Sequence, residues 1–138
     1  MHSMDEADVQ TVMRHKSTMI GSDGIPTLEG KPHPRLYGTF ARVLGHYARD
    51  LCLLPLEEAV HRMTGFPARK FGLEGRGVVR EGAFADLVVF DPERIRDTGT
   101  FEDPNRYPDG IPHVFVNGTW VVRDGRHTGA RPGRPLRR

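Results

Sequence analysis

A single cysteine, Cys52, means that no internal disulfide can staple this chain. Its neighbours, Leu51, Leu53 and Leu54, predict a buried small hydrophobe rather than a reactive thiol. Scarce cysteine fits a cytoplasmic setting. No stretch approaches the roughly 20 consecutive apolar residues of a membrane helix, so no membrane partner is expected. The opening residues Met1-His2-Ser3-Met4-Asp5-Glu6 lack a cationic segment followed by an apolar one and do not read as a signal peptide. The seven histidines include no His-x-His and no His-x-x-x-His pair, and Cys-x-x-Cys is also missing, so none of the common metal-ligand spacings occurs. His46 and His61 fall on predicted helices and read as surface or boundary residues. No internal repeat is apparent.

What is present is ordinary for a soluble domain. The 138 residues are 37% hydrophobic and 28% charged, enough for one domain with a real core. The net charge is only +2. The basic balance comes largely from the C-terminal tail, where Arg126, Arg131, Arg134, Arg137 and Arg138 follow the last acid, Asp124. That tail has no aromatic residue to stack a base, and its Gly/Pro/Arg spacing reads as an extended, solvated arm, so no nucleic-acid partner is expected.

Periodicity divides the chain into a helical part and a β part. Asp5 can cap a helix over about residues 6–15, with Glu6 and Asp8 at its positive end and Val9, Val12 and Met13 on one face. Thr18 to Gly21 reads as a short strand that ends in Ser22-Asp23-Gly24. Ser-Asp-Gly is also an ordinary turn tripeptide, so alone it carries little. The Pro- and Gly-rich residues 24–35 form a loop. Leu36, Phe40, Val43, Leu44, Tyr47 and Leu51 then recur at helical spacing, predicting a helix over about 37–51 with that set buried. Gly45 weakens it by up to about 1 kcal/mol relative to alanine. Pro55 starts another helix with Leu56, Ala59, Val60 and Met63 inward; Thr64-Gly65 stops it, and a short helical turn from Ala68 to Phe71 closes at Gly72.

Beyond this the period changes. Gly77 to Gly82 predicts a strand and tight turn, and the continuous run Ala85 to Asp91 a well-buried strand. Val114 to Val122 predicts a hairpin around Asn117-Gly118, because both turn residues accept φ > 0. Residues 92–112, with four prolines, form a long connection.

Three stretches together resemble the C-terminal part of the N-acyl-D-amino-acid deacylases (D-aminoacylases). These are Met19-Ile20-Gly21-Ser22-Asp23-Gly24, His33-Pro34-Arg35-Leu36-Tyr37-Gly38-Thr39-Phe40, and Leu56-Glu57-Glu58-Ala59-Val60 with Met63-Thr64-Gly65. Gly77 to Asp91 and Val116-Asn117-Gly118 with Asp124-Gly125 resemble the terminal β-segment shared by metal-dependent amidohydrolases. The resemblance covers the chain from about Asp5 to Arg138.

It implies an α/β fold: the last strand-helix portion of a (β/α)8 barrel, followed by a small, mainly antiparallel β-sandwich segment. On that basis residues 1–72 would be the barrel portion, 73–125 the β-segment and 126–138 the basic tail. The implied reaction is zinc-dependent hydrolysis of an N-acyl-D-amino acid to a carboxylate and a free D-amino acid. Asp23 matches the family's catalytic aspartate, which in some relatives also touches a second, weakly held metal. Arg35 matches the arginine that binds the substrate α-carboxylate, although the loop before it is one residue longer than the family form; the plain alternative is a surface loop cation. A barrel takes about 200 residues or more, and the family's zinc ligands have no match here. The chain is therefore expected to be an incomplete barrel that holds no zinc by itself, needs the rest of the barrel or another chain, and when alone either self-associates or is only partly ordered at its N-terminal end. Two alternatives stay open: a non-catalytic β-rich interaction or structural module, and part of an amidohydrolase acting on cyclic amides.

Overall fold

Asp5 opens the first helix, α1 (Glu6–Arg14), with a reciprocal capping box. Its side chain accepts from the Asp8 N–H at 2.9 Å, and the Asp8 side chain accepts from the Asp5 N–H at 3.3 Å. This computed structural model describes residues 4–25 and 30–136. Met13 carries α1 into the core. The helix α2 (Arg35–Arg42) runs directly into a wider π-helical segment, Val43–Asp50, which closes with the Leu51 N–H on the His46 carbonyl at 2.9 Å. Two short helices follow, α3 (Leu56–Met63) and α4 (Gly65–Phe71). Four strands, β1 (Leu87–Val89), β2 (His113–Val116), β3 (Thr119–Arg123) and β4 (Arg126–His127), form an antiparallel meander in that order.

The core lies where the helices meet. Met13, Ala41, Val43, Leu44, Tyr47, Ala48, Leu54 and Ala59 form one buried cluster, and Ile95 joins it from the long connection after β1. Residues 92–112 therefore leave the sheet, plug Ile95 into the helical core and return, held by an antiparallel bridge between Arg96 and Asp109. One charge is buried in this part of the protein. Arg62 of α3 is 3% exposed, and it donates to Glu58 Oε1 at 2.6 Å and to the Met13 and His15 carbonyls at 2.6 and 2.9 Å. It thereby fastens the C-terminal end of α1 to α3.

The hairpin turn fulfils its sequence signature: Asn117 and Gly118 both have positive φ, 49° and 75°. The turn is pinned from outside. The Asn117 N–H donates to Asp86 Oδ1 at 2.8 Å, Arg76 pairs with Asp86, and the Asn117 side chain donates to the Pro132 carbonyl at 2.8 Å. A second tight turn at Asp124-Gly125, again with positive φ at both residues, adds β4. The first two residues of the expected basic arm thus belong to the sheet.

Several expectations are corrected. Thr18–Gly21 is not a strand: a parallel strand needs strand neighbours, and here the Ile20 N–H donates instead to the Arg62 carbonyl at 3.0 Å. Val78 and Val79 likewise find no strand partner among the described residues, and Val79 is 88% exposed. The run Ala85 to Asp91 yields only three strand residues, and Val88 and Val89 are exposed, because β1 is a sheet edge with β2 as its single neighbour. Phe40 and Leu51, expected inside, are exposed, while Ala41 and Ala48 are buried. Val43, Leu44 and Tyr47 are buried as expected; Leu51 falls just past the helix end, and Ala41 and Ala48 share a face with Gly38 and Gly45, which lie against Asp97 and Ile95. Thr64-Gly65 ends α3 as expected, but the helical turn that follows starts at Gly65 rather than near Ala68, and it closes at Gly72 as expected. Cys52 is exposed at a left-handed backbone position (φ 49°), outside the helix whose apolar neighbours suggested burial.

Candidate functional site

From α1 the chain runs through Thr18–Gly21 without regular structure and reaches Ser22-Asp23-Gly24, where Asp23 takes φ 47°. The turn reading of Ser-Asp-Gly is therefore correct locally, with the Ser22 hydroxyl accepting from the Gly24 N–H at 3.3 Å. It also does more, because the turn projects the Asp23 carboxylate outward with its side chain 75% exposed.

Arg35 is the first residue of α2, after Pro34, whose side chain offers no cap. The orphan Arg35 N–H donates instead to His33 Nδ1 at 3.1 Å. The Arg35 guanidinium reaches back across the loop. Its Nη2 lies 3.1 Å from Asp23 Oδ2, and its Nε donates to the Asp23 carbonyl at 3.0 Å. The longer loop does not keep Arg35 away: the two residues singled out in the sequence touch. The Thr39 hydroxyl, one turn on, lies 2.9 Å from the Arg35 carbonyl and 3.2 Å from the Ser22 carbonyl, tying the helix to the turn. Partial desolvation, and next the Arg35 charge, hold the His33 imidazole below its ordinary pKa, while Asp23 pulls the other way. A neutral Nδ1 is what the Arg35 N–H requires as acceptor.

The 92–112 excursion walls this site, which sequence reasoning missed. Phe101 packs edge-on to His33 with ring centres 5.0 Å apart, and Tyr107 edge-on to Tyr37 at 5.4 Å. No local signal could have announced contacts at such separation in sequence. The excursion also encloses an open recess of about 610 Å³ lined by Arg96, Asp97, Asn105, Arg106 and Asp109, but neither Asp23 nor Arg35 borders it. Its charges are already matched, as in Arg96 with Asp109 at 2.8 Å and Arg106 with Asp103 at 3.4 Å.

Among the described residues no group of three or more His, Cys, Asp or Glu side chains could hold a metal ion. Asp23 is the carboxylate that the turn presents beside Arg35.

Comparison with known proteins places the segment. The amidohydrolase family matches residues 3–122. The chain belongs to that family. A D-aminoacylase of Alcaligenes xylosoxydans xylosoxydans is 58% identical over 135 residues, covering 98% of this chain and 28% of the relative. A solved D-aminoacylase structure superposes with a TM-score of 0.88 at 57% identity, over 92% of this chain and 27% of the other. A solved N-acyl-D-glutamate deacylase from Bordetella bronchiseptica, complexed with zinc and a phosphonate mimic of the tetrahedral intermediate, gives 0.83 at 48% identity, over 90% and 27%. This amidohydrolase chain thus spans a little over a quarter of the length of the curated relatives it matches.

Proposed function

We propose that this segment supplies the proton-transfer and carboxylate-recognition part of a zinc-dependent amidohydrolase that cleaves N-acyl-D-amino acids to a carboxylate and a free D-amino acid. The observation that carries the reading is the direct contact between Asp23 and Arg35. The relatives' names supply the substrate class.

Asp23 is the general base. Water attacks the amide carbonyl, its proton passes to a carboxylate oxygen of Asp23, and that proton is then returned to the nitrogen as the C–N bond breaks. Arg35 is the carboxylate reader. Its planar fork of N–H donors matches a substrate α-carboxylate in two parallel bonds. The fork already holds one carboxylate, that of Asp23. Both partners are exposed, and such pairs contribute about 0–1 kcal/mol, so an arriving substrate carboxylate can take Asp23's place. Displacement would leave the Asp23 oxygens free to accept a proton at the moment substrate is present.

Zinc, when bound, supplies a Lewis acid that polarises the carbonyl. The described residues do not provide its ligand set, which we assign to the barrel strands outside this segment. In this reading Thr18–Gly21, which is no strand within this segment, would be paired as the last barrel strand only by neighbours beyond these residues. The partners are the small-molecule substrate and the rest of the barrel.

The test is an amine-release assay on the complete zinc-loaded enzyme carrying this segment, with paired N-acetyl-D- and N-acetyl-L-amino acids. Turnover of the D series is expected. Hydrolysis confined to cyclic amides, or to neither series, would sink the reading.

A further inference from the structure

One helix face bears on Arg35 from the β-rich half of the chain. Gly38 and Gly45 are seven residues apart on the helix that starts at Arg35, and both are buried. Neither has room for a side chain. A Cβ at Gly38 would lie 2.9 Å from the Asp97 Cβ, and one at Gly45 would collide with the Ile95 carbonyl oxygen. The Ile95–Asp97 backbone therefore lies flat against this face. Two arginines of the same helix fasten it there. Arg49 Nη1 donates to the Pro92, Glu93 and Ile95 carbonyls at 3.2, 3.3 and 2.8 Å, and Arg42 Nη1 pairs with Asp97 Oδ2 at 3.3 Å. The excursion then continues around the first turn, with Phe101 on His33 and Tyr107 on Tyr37. Residues 33, 37 and 38, which bracket Arg35, are thus all touched by it.

We propose that the 92–112 excursion positions Arg35, and that Gly38 is the residue through which it acts. This rests on the reading of Arg35 as the carboxylate reader. Gly38 lies three residues after Arg35, within the same helical turn. The face that fits Asp97 closely sets the depth at which that turn sits, and with it the distance from the guanidinium to the substrate carboxylate. Misplacement of a binding group by a fraction of an ångström is enough to cost rate when orientation is the device. Gly38, Asp97 and Arg42 are positioning residues: none touches the reacting atoms.

The experiment uses the complete enzyme and two probes, an N-acetyl-D-amino acid and its carboxamide, which lacks the charge. Gly38→Ala is expected to lower kcat/KM for the acid about tenfold, mainly through KM, with the carboxamide changed by about twofold or less. The double variant Gly38→Ala/Asp97→Gly moves the Cβ contact from one partner to the other but lacks the Arg42–Asp97 pair, and is expected to recover part of the acid-to-amide ratio lost in Gly38→Ala. Asp97→Gly alone removes the contact without a clash and is expected to lower that ratio, and it serves as the test if Gly38→Ala does not fold. Arg35→Lys is run alongside. Discrimination by Arg35→Lys together with an unchanged acid-to-amide ratio in Gly38→Ala, or in Asp97→Gly where the alanine variant does not fold, would overturn this inference alone. Equal loss on both probes in Arg35→Lys would overturn the carboxylate reading, and the positioning role with it.

Discussion

The residues that carry the site divide by how far their signal travels along the chain. Asp23 and Arg35 were legible because both stand in short stretches that match the deacylases, and the structure adds that they meet at 3.1 Å. Their geometry gives a sharp expectation. Asp23→Asn in the complete enzyme keeps the size and the contact with Arg35 but cannot accept a proton, so kcat should fall about 10²–10⁴-fold with the thermal midpoint little changed. Retention of most of kcat would remove Asp23 from the reaction. Arg62 was not legible as a buried residue: it sits in Val60-His61-Arg62-Met63, where the sequence shows only a charged residue between apolar ones. Its burial depends on carbonyls of α1, nearly 50 positions away, that accept from it. Arg62→Ala leaves the Met13 and His15 carbonyls without this donor and Glu58 without its partner, and should destabilise the segment by about 2–4 kcal/mol. Glu58→Gln retains an acceptor at a partly exposed position and should cost less than about 1 kcal/mol. Calorimetry of the two variants checks the order; equal losses would mean that the ion pair, not the carbonyl contacts, carries the join.

Elements were legible where the local chemistry is self-sufficient. The capping box of α1 and the Asn117-Gly118 turn need only neighbouring residues, and both form as the sequence indicates. Elements failed where their partners are remote. Thr18–Gly21 reads as a strand only from the loop signals after it, and Val78-Val79 and the Ala85–Asp91 run from their composition, but a strand is defined by a ladder, and the described residues supply none for the first two. The helix beginning at Arg35 was placed correctly, and Val43, Leu44 and Tyr47 are buried as expected; but its glycines admit the Ile95–Asp97 backbone, so Ala41 and Ala48 beside them are buried too and Phe40 is left exposed. Gly118 offers a test confined to one element. It holds φ 75° between the two strands of one hairpin, so Gly118→Val, β-branched in a left-handed position, should cost about 1–3 kcal/mol. Asn117→Gly should be far milder for the turn itself, yet it loses the bond to the Pro132 carbonyl and should loosen residues 128–136 selectively. Hydrogen exchange on the two variants separates these effects; uniform loss of protection in Asn117→Gly would show that the side chain holds the turn rather than the tail.

At the scale of the whole molecule, the exposed apolar surface is what most needs a partner. Val79, Phe84, Val88 and Val89 are all exposed, β1 is an edge of the sheet among the described residues, and Phe40 is exposed on α2. Scattered single hydrophobes are normal on a protein surface, but an exposed edge strand with two adjacent valines is a template for another chain. The segment also covers a little over a quarter of its relatives' length, so surface of this kind is expected to meet other parts of the barrel in them. Expressed alone, the 138 residues should therefore self-associate at micromolar concentration, with no turnover of N-acetyl-D-amino acids and no stoichiometric zinc after dialysis. Protection should be uneven within that associated state. The β2–β3 hairpin, closed by its own turn and pinned through Asn117 to Asp86 and Pro132, should exchange slowest. Residues 18–25, whose backbone is held chiefly by the Ile20 bond to the Arg62 carbonyl and the Arg35 and Thr39 contacts, should exchange fastest among the described residues before 130. Raising salt should not disperse the oligomers, since burial of apolar surface rather than charge would hold them. Size-exclusion chromatography across a concentration series, with hydrogen exchange on the same samples, decides the matter. A monomer at all concentrations, with residues 18–25 as protected as the hairpin, would show that the segment satisfies its own surface and would favour an independent module over a part of a barrel.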